Sequence, residues 1–174
     1  VLWLGDLPIA EPKQPVSPDP FFSFNYGGKT SRELLPSWQL ERGAQQIDDT
    51  RTQYTIAYTD SQTGLVVRCE GVLYHEFPVV EWTLYFKNTG AADTPILSDI
   101  LAMDAVLPCS PATEVWLHHT KGDDCTDTSY EPRVDMLGAD TNLAFANTGG
   151  RPTQLAFPYF NVAGPSGGTI FVVS

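Results

Sequence analysis

The chain has 174 residues, of which 42% are apolar and 11% aromatic, and its formal net charge is −11 at pH 7. This length and composition predict a globular domain with a core and exclude a disordered segment. The negative charge argues against nucleic acid and anionic membranes as partners, because both repel it, whereas neutral sugars remain compatible with it.

The two ends of the chain differ from ordinary termini. The chain begins at Val1 without an initiator Met, and residues 169–174 form an apolar run that predicts a buried strand. Natural termini are usually exposed. We therefore expect a piece of a longer polypeptide, and a complete small protein with a terminal strand is the alternative.

A Pro-rich stretch precedes the first strand. Five prolines lie within residues 1–20, and proline lacks the backbone donor that a sheet ladder needs. The stretch is predicted to be an extended arm, and residues 21–174 are predicted to be a β-sandwich domain.

Alternating side chains predict strands through the first half of the chain. The clearest is 79–88, where every second residue from Val80 to Phe86 is apolar, so Trp82 is expected in the core. Residues 60–64 have the composition of a hairpin loop. Residues 31–35 could form one helical turn before Pro36. The predicted strands are 22–26, 38–42, 52–59, 65–73 and 79–88.

Shorter strands follow in the second half. Residues 96–107 alternate as a strand would, although a short helix is the alternative. The other predicted strands are 115–119, 143–146, 155–162 and 169–174. Many short strands separated by turns predict an all-β fold, an antiparallel β-supersandwich of two packed sheets with little or no helix.

The three cysteines match neither a disulfide framework nor a zinc pattern. Cys69 lies in an alternating strand and is predicted to be a small buried residue. Cys109 and Cys125 flank one segment and could form a disulfide. Because this pairing stays open, the compartment stays open too, cytoplasmic or secreted.

Four stretches, in this order, resemble the N-terminal β-sandwich of bacterial α-galactosidases of the glycoside hydrolase family 36 kind. They cover nearly all of the chain after the Pro-rich arm. They are FSFNYGG (22–28) with residues 33–35 and Trp38, EWTLYFKNTG (81–90) with residues 93–97, LHHTKGDDC (117–125), and GGRP (149–152) with FPYFN (157–161).

The resemblance implies an accessory role. In such enzymes a catalytic (β/α) barrel in the same polypeptide follows the sandwich and supplies two aspartates, which cleave terminal α-galactosides with retention. This chain would end before that barrel and would have no catalytic residues or cofactor of its own. The implied partners are the barrel, an α-galactoside-type carbohydrate and possible further copies of the chain. An independent carbohydrate-binding module is the alternative, and an immunoglobulin-like structural domain fits the length and cysteines less well.

Two loops are the candidate substrate-proximal elements, because sandwich loops of the resembling enzymes lean over the sugar pocket. The first carries Lys121, Asp123 and Asp124, and the second carries Arg151, whose fork of donors suits hydroxyls or carboxylates. A solvated loop, a calcium site or an interdomain ion pair are the alternatives. After GGRP, residues 153–155 differ from the Ser-Asn-Gly of relatives, which leaves room for a divergent substrate.

Aromatic and histidine side chains supply the remaining candidates. Trp38 and Trp116 could stack on sugar, although burial in the core is the alternative for both. His118 and His119 are adjacent in a predicted strand and should point to opposite faces, so no metal site is expected there. No nucleophile motif indicates independent catalysis.

Overall fold

The computed structural model of the chain describes residues 20–106, 114–151, 153–165 and 167–173. These residues belong to two compact units, which we call the first unit (20–106) and the second unit (114–173) and describe separately. The sequence predicts one domain over 21–174 and contains no sign of this division. The Pro-rich arm, apart from Pro20, lies outside the described residues.

The described residues have an all-β architecture. Their strands form three antiparallel sheets, and none of these sheets closes into a barrel. Within residues 20–106, 114–151, 153–165 and 167–173, helix is limited to α1 (Ser31–Leu34) and a 3₁₀ turn (Leu35–Ser37). The prediction of an antiparallel all-β fold with little helix is therefore confirmed.

Local chemistry explains why α1 begins and ends where it does. The Glu33 carboxylate accepts hydrogen bonds from both Thr30 N, at 2.9 Å, and Thr30 Oγ1, at 2.7 Å, which fixes the first turn as a capping box. Pro36 has no backbone N–H to donate to a further helical hydrogen bond, so the helix ends in a 3₁₀ turn. With four residues, α1 is far too short to cross a membrane, and no other helix of the described residues could do so.

The first unit is a two-layer sandwich. One sheet has the strand order β2-β1-β7 and the other β3-β4-β5-β6. All five strands predicted up to residue 88 are present, and the strand predicted at 96–107 is shorter than expected. The strands are β1 (Ser23–Tyr26), β2 (Lys29–Thr30), β3 (Gln39–Asp48), β4 (Arg51–Thr59), β5 (Leu65–Tyr74), β6 (Val79–Asn88) and β7 (Leu97–Leu101).

An aromatic and aliphatic core lies between these layers. Phe24 on β1 is 1% exposed, Val67 on β5 is fully buried, and Phe86 on β6 meets the Phe24 ring edge-on with centroids 5.5 Å apart. The exposed and half-buried residues of β6 alternate as predicted. Cys69 is buried in the same cluster, which confirms its predicted place.

The loop between β4 and β5 forms the predicted hairpin. Asp60 N donates to Leu65 O at 2.9 Å, and Gly64 N donates to Asp60 O at 2.8 Å. Gly64 has a φ of +80°, and a side chain there would meet Gly90 N at 2.5 Å. Glycine is therefore required at this position by both backbone conformation and space.

The second unit contains one four-stranded sheet with the order β11-β10-β8-β9. Strand β9 was not predicted; it lies at the sheet edge with Pro132 in first position, where a missing donor is tolerated. The predicted strand at 143–146 is wrong, because Phe145 instead lies in a loop against the His119 ring. The strands are β8 (Val115–Thr120), β9 (Pro132–Leu137), β10 (Tyr159–Gly164) and β11 (Gly167–Val172).

The two faces of this sheet differ in burial. Leu117 and Phe171, with 6% and 9% of their surface exposed, lie on one face, where Phe160 stacks on Phe171 at 5.1 Å. His119 shares that face, whereas His118 is exposed on the other. The prediction that the two histidines point to opposite faces is confirmed.

Core packing in the first unit leads to a stability prediction. Phe24→Ala removes a fully buried ring and should lower the free energy of unfolding by about 3–5 kcal/mol. The control Thr83→Val alters an exposed position of β6 and should change it by less than about 0.5 kcal/mol. Urea denaturation checks both, and similar losses for the two variants would contradict the assigned core.

Candidate functional site

The structure brings the two candidate loops together in the second unit. Gly122 N donates to Leu155 O at 3.0 Å, and Asp123 N donates to Thr153 O at 2.7 Å. Lys121 also pairs with Ala156 as an isolated β-bridge. We call residues 121–130 and 149–155 the loop cluster; residue 152 is not described. Backbone hydrogen bonds thus hold its two parts side by side.

Gly122 makes this approach possible. It is buried, and a β-carbon at this position would collide with the carbonyl oxygen of Thr153. Only glycine leaves room for a second backbone at this distance. Thr153 and Leu155 contribute only their carbonyl oxygens to this contact, which any residue type has.

Asp123 is the carboxylate that links the two loops. Its Oδ1 accepts hydrogen bonds from Cys125 N at 2.9 Å and Ser129 Oγ at 3.0 Å, and its Oδ2 lies 3.5 Å from Arg151 Nη2. The hydrogen bond from the Cys125 backbone, followed by that from Ser129, holds the pKa of Asp123 below its usual range. Asp123 therefore stays ionised at neutral pH.

Asp124 is paired within its own loop. Its Oδ2 lies 2.7 Å from Lys121 Nζ, and its Oδ1 accepts a hydrogen bond from Thr126 Oγ1 at 2.7 Å. The Lys121 ammonium, followed by the Thr126 hydroxyl, holds the pKa of Asp124 well below its usual range. Lys121 and Asp124 thus satisfy one another's charge at the loop surface.

Arg151 is the exposed donor of the loop cluster. Half of its side-chain surface is accessible, and its Nη1 lies 3.5 Å from Cys125 Sγ. A guanidinium has five N–H donors, so these long contacts leave most of them able to meet a ligand hydroxyl. The predicted charged residues of both loops, Lys121, Asp123, Asp124 and Arg151, therefore lie in one cluster.

Gln154 belongs to the same cluster and was not singled out in the sequence. Its side-chain amide lies against the α-carbon of Gly149, where a β-carbon would collide with it. Gln154 Oε1 is buried and has no hydrogen-bond partner among the described residues. Ser129 also escaped prediction, because its contact with Asp123 depends on how the loop closes.

The two candidate tryptophans lie in different units. Trp38 is half-buried in the first unit and packs on Phe24 and Tyr26, with ring centroids 6.2 and 5.8 Å apart. Trp116 lies on β8 in the second unit with 36% of its surface exposed. Sugar contact by either residue stays a prediction, and the exposed ring of Trp116 is the more accessible.

In the part of the chain that the structure describes, the histidines and cysteines are candidate metal ligands and disulfide partners. There, no group of three or more His, Cys, Asp or Glu side chains is placed to hold a metal ion. His119 Nε2 lies 2.7 Å from Asp135 Oδ2, in a pair rather than a larger group. Cys125 is exposed and forms no disulfide with another described residue. Cys109 lies outside the described residues, so its pairing with Cys125 stays a prediction.

Comparison with known proteins finds no family model, no curated protein and no solved structure that matches this chain. The resemblance drawn from the four stretches therefore rests on their own residues.

The close approach at Gly122 predicts a specific effect of adding one methyl group. Gly122→Ala should separate the two parts of the loop cluster and raise the hydrogen-exchange rate of the Asp123 amide at least about tenfold. The matched control is Gly138→Ala in the same unit, whose new β-carbon would lie 3.5 Å from Thr141 Oγ1, an ordinary contact. Unchanged exchange in Gly122→Ala would contradict the backbone approach.

The two described cysteines should differ in reactivity. Burial raises the pKa of the Cys69 thiol to about 12, so only about 1 in 10,000 molecules has a thiolate there at about pH 8. Iodoacetamide should therefore alkylate Cys125 in the native chain and Cys69 only after unfolding, as measured by peptide mapping. Protection of Cys125 that disappears on reduction would contradict a free thiol and support a bond to Cys109.

Proposed function

We propose that this chain is an accessory β-sandwich region of an α-galactosidase-like retaining glycoside hydrolase. In this proposal the loop cluster forms part of the rim of a sugar pocket whose catalytic carboxylates belong to a barrel in the same polypeptide. The observation that carries the proposal is the convergence of residues 121–125 and 149–151. Both stretches were singled out by the family resemblance, and they meet through Asp123 and Arg151.

The local structure of the other resembling stretches is consistent with this proposal. Gly27 and Gly28 have φ of +56° and +79°, so the glycine pair is needed for the turn between β1 and β2. Residues 81–88 make up all of β6 after its first two residues, and Asn88 Oδ1 accepts a hydrogen bond from Gly90 N at 2.8 Å where the strand ends. Each stretch thus has a structural reason for its composition.

The electrostatics of the loop cluster favour an accessory role over a catalytic one. A general acid in a glycosidase needs a carboxyl group whose pKa is raised towards the working pH. Asp123 and Asp124 have lowered pKa values instead, and both are paired with cations. Such carboxylates stabilise the shape of a loop, and they hold Arg151 and Lys121 in place.

Arg151 is the residue expected to meet the substrate. Its guanidinium contacts Asp123 on one side at 3.5 Å, and half of the side chain stays exposed. Donors held in a fixed direction can bind a sugar hydroxyl at little entropic cost. The loop cluster would thus contribute orientation of the sugar and leave the chemistry to the barrel.

Substitution of Arg151 in the whole enzyme tests this role. Arg151→Ala should lower kcat/KM for an α-galactoside about tenfold, because a positioning contact is lost. The matched control is Arg133→Ala, which breaks another exposed ion pair of the same unit, Arg133 Nη2 to Glu131 Oε2 at 2.6 Å, and should leave kcat/KM unchanged.

Two outcomes would contradict the proposal. One is turnover of an α-galactoside by the isolated 174-residue chain, and the other is an equal effect of the two arginine variants. The coding sequence that follows Ser174 separates the accessory role from an independent sugar-binding module, since only the accessory role requires a barrel with paired aspartates.

A further inference from the structure

One face of the second unit's sheet is free of charged side chains. Strand pairing assigns twelve positions to the face that bears Trp116. None of the twelve is Asp, Glu, Lys or Arg, and we call them the uncharged face. They are Trp116, His118, Thr120, Pro132, Val134, Met136, Tyr159, Asn161, Ala163, Gly168, Ile170 and Val172.

This lack of charge is a property of the face and not of the strands. Arg133 and Asp135 alternate with Val134 along β9 and therefore lie on the opposite face of the sheet. The chain as a whole has a net charge of −11. Within the twelve paired positions a ligand therefore meets only apolar and neutral polar groups.

A cavity opens beside Trp116, where the uncharged face borders Glu114 and the end of β10. Its volume is about 290 Å³, close to the lower end of the range of small-molecule sites, roughly 300–1,000 Å³. Trp116 supplies an aromatic wall, and Glu114 and His118 supply polar groups. The lining residues are Glu114, Trp116, His118, Ala163, Gly164 and Pro165.

The floor beside this cavity is made of small residues. Ala163 pairs with Trp116 on one side and with Gly168 on the other, so of its two cross-strand neighbours only Trp116 has a large side chain. A β-carbon at Gly168 would lie 2.6 Å from Asn161 Oδ1. That oxygen is buried and has no hydrogen-bond partner among the described residues. The small residues Ala163 and Gly168 thus leave space next to the Trp116 ring.

We propose that this cavity binds a neutral pyranose ring. The Trp116 ring is 36% exposed, and an aromatic ring suits the apolar C–H face of a sugar. Glu114 and His118 line the same cavity and can bond hydroxyl groups of the sugar. An anionic ligand would be repelled by Glu114 and by the net charge of the chain. Arg151 is not among the residues that line this cavity. The proposal therefore does not depend on the chain being part of a galactosidase.

The cavity also distinguishes this proposal from protein docking on the same face. A docking surface of this kind would depend on its most exposed apolar residues, Ile170 and Val172, which are 70% and 75% exposed and lie on the edge strand β11. The cavity instead places Trp116 beside a carboxylate and an imidazole. A carboxylate would be desolvated at a cost under an apolar partner, whereas sugar hydroxyls can bond it.

Titration of the chain with methyl glycosides, followed by NMR, tests the site. Methyl α-galactoside and methyl α-glucoside, raised to on the order of 10 mM, should shift the Trp116 indole and His118 ring signals, and glucuronate should shift them far less. Trp116→Ala should weaken binding about tenfold or more, and Trp116→Phe should retain part of it. Ile170→Ser is the matched control and should bind the glycosides as the parent chain does.

Three results would overturn the proposal. The first is that neither methyl glycoside shifts the Trp116 signals. The second is that glucuronate binds as tightly as the methyl glycosides. The third is concentration-dependent self-association of the chain that Ile170→Ser abolishes, since the face would then serve protein docking. This titration does not measure the activity of the whole enzyme. The sugar site can therefore be refuted or supported independently of the role proposed for Arg151.

Discussion

The two-residue periodicity of the β-strand is the constraint on which both units depend. On β6 it directs the apolar side chains, including Phe86, into the core of the first unit. On β8 it separates Leu117, which is buried, from Trp116, which is exposed. A shift of register by one residue would exchange these faces, so the core and the exposed sites are set by the same pairing.

The loop cluster depends on a second constraint, the absence of a side chain at Gly122. Because two backbones meet there, the loop after β8 is tied to residues 153–155, and Asp123 comes within reach of Arg151. The hydrogen bonds that lower the pKa of Asp123 come from its own loop, and the ion pair then links that loop to its neighbour. The backbone contact thus keeps the two charged groups within reach of each other.

The sequence predicts those parts of the fold that have a strong local pattern. The alternation of β6, the hairpin at 60–64 and the opposed histidines of β8 all follow from spacing and turn composition. Strand β9 was missed because its exposed edge position mixes charged and apolar residues around Pro132. The apolar run at 143–146 has the composition of a strand, but Phe145 packs on His119 without any strand to pair with.

The candidate site could be predicted only in part. Lys121, Asp123, Asp124 and Arg151 are found from the family resemblance, and the structure places them together. The contacts of Ser129 and Gln154 depend on tertiary structure, for which no local sequence pattern exists.

The most direct measurement of the central claim, the backbone contact at Gly122, is a NOESY spectrum of the isotope-labelled chain. Strong cross-peaks between the α-protons of Gly122 and protons of Thr153 and Gln154 are predicted; well-resolved signals for these residues without such cross-peaks would contradict the loop cluster.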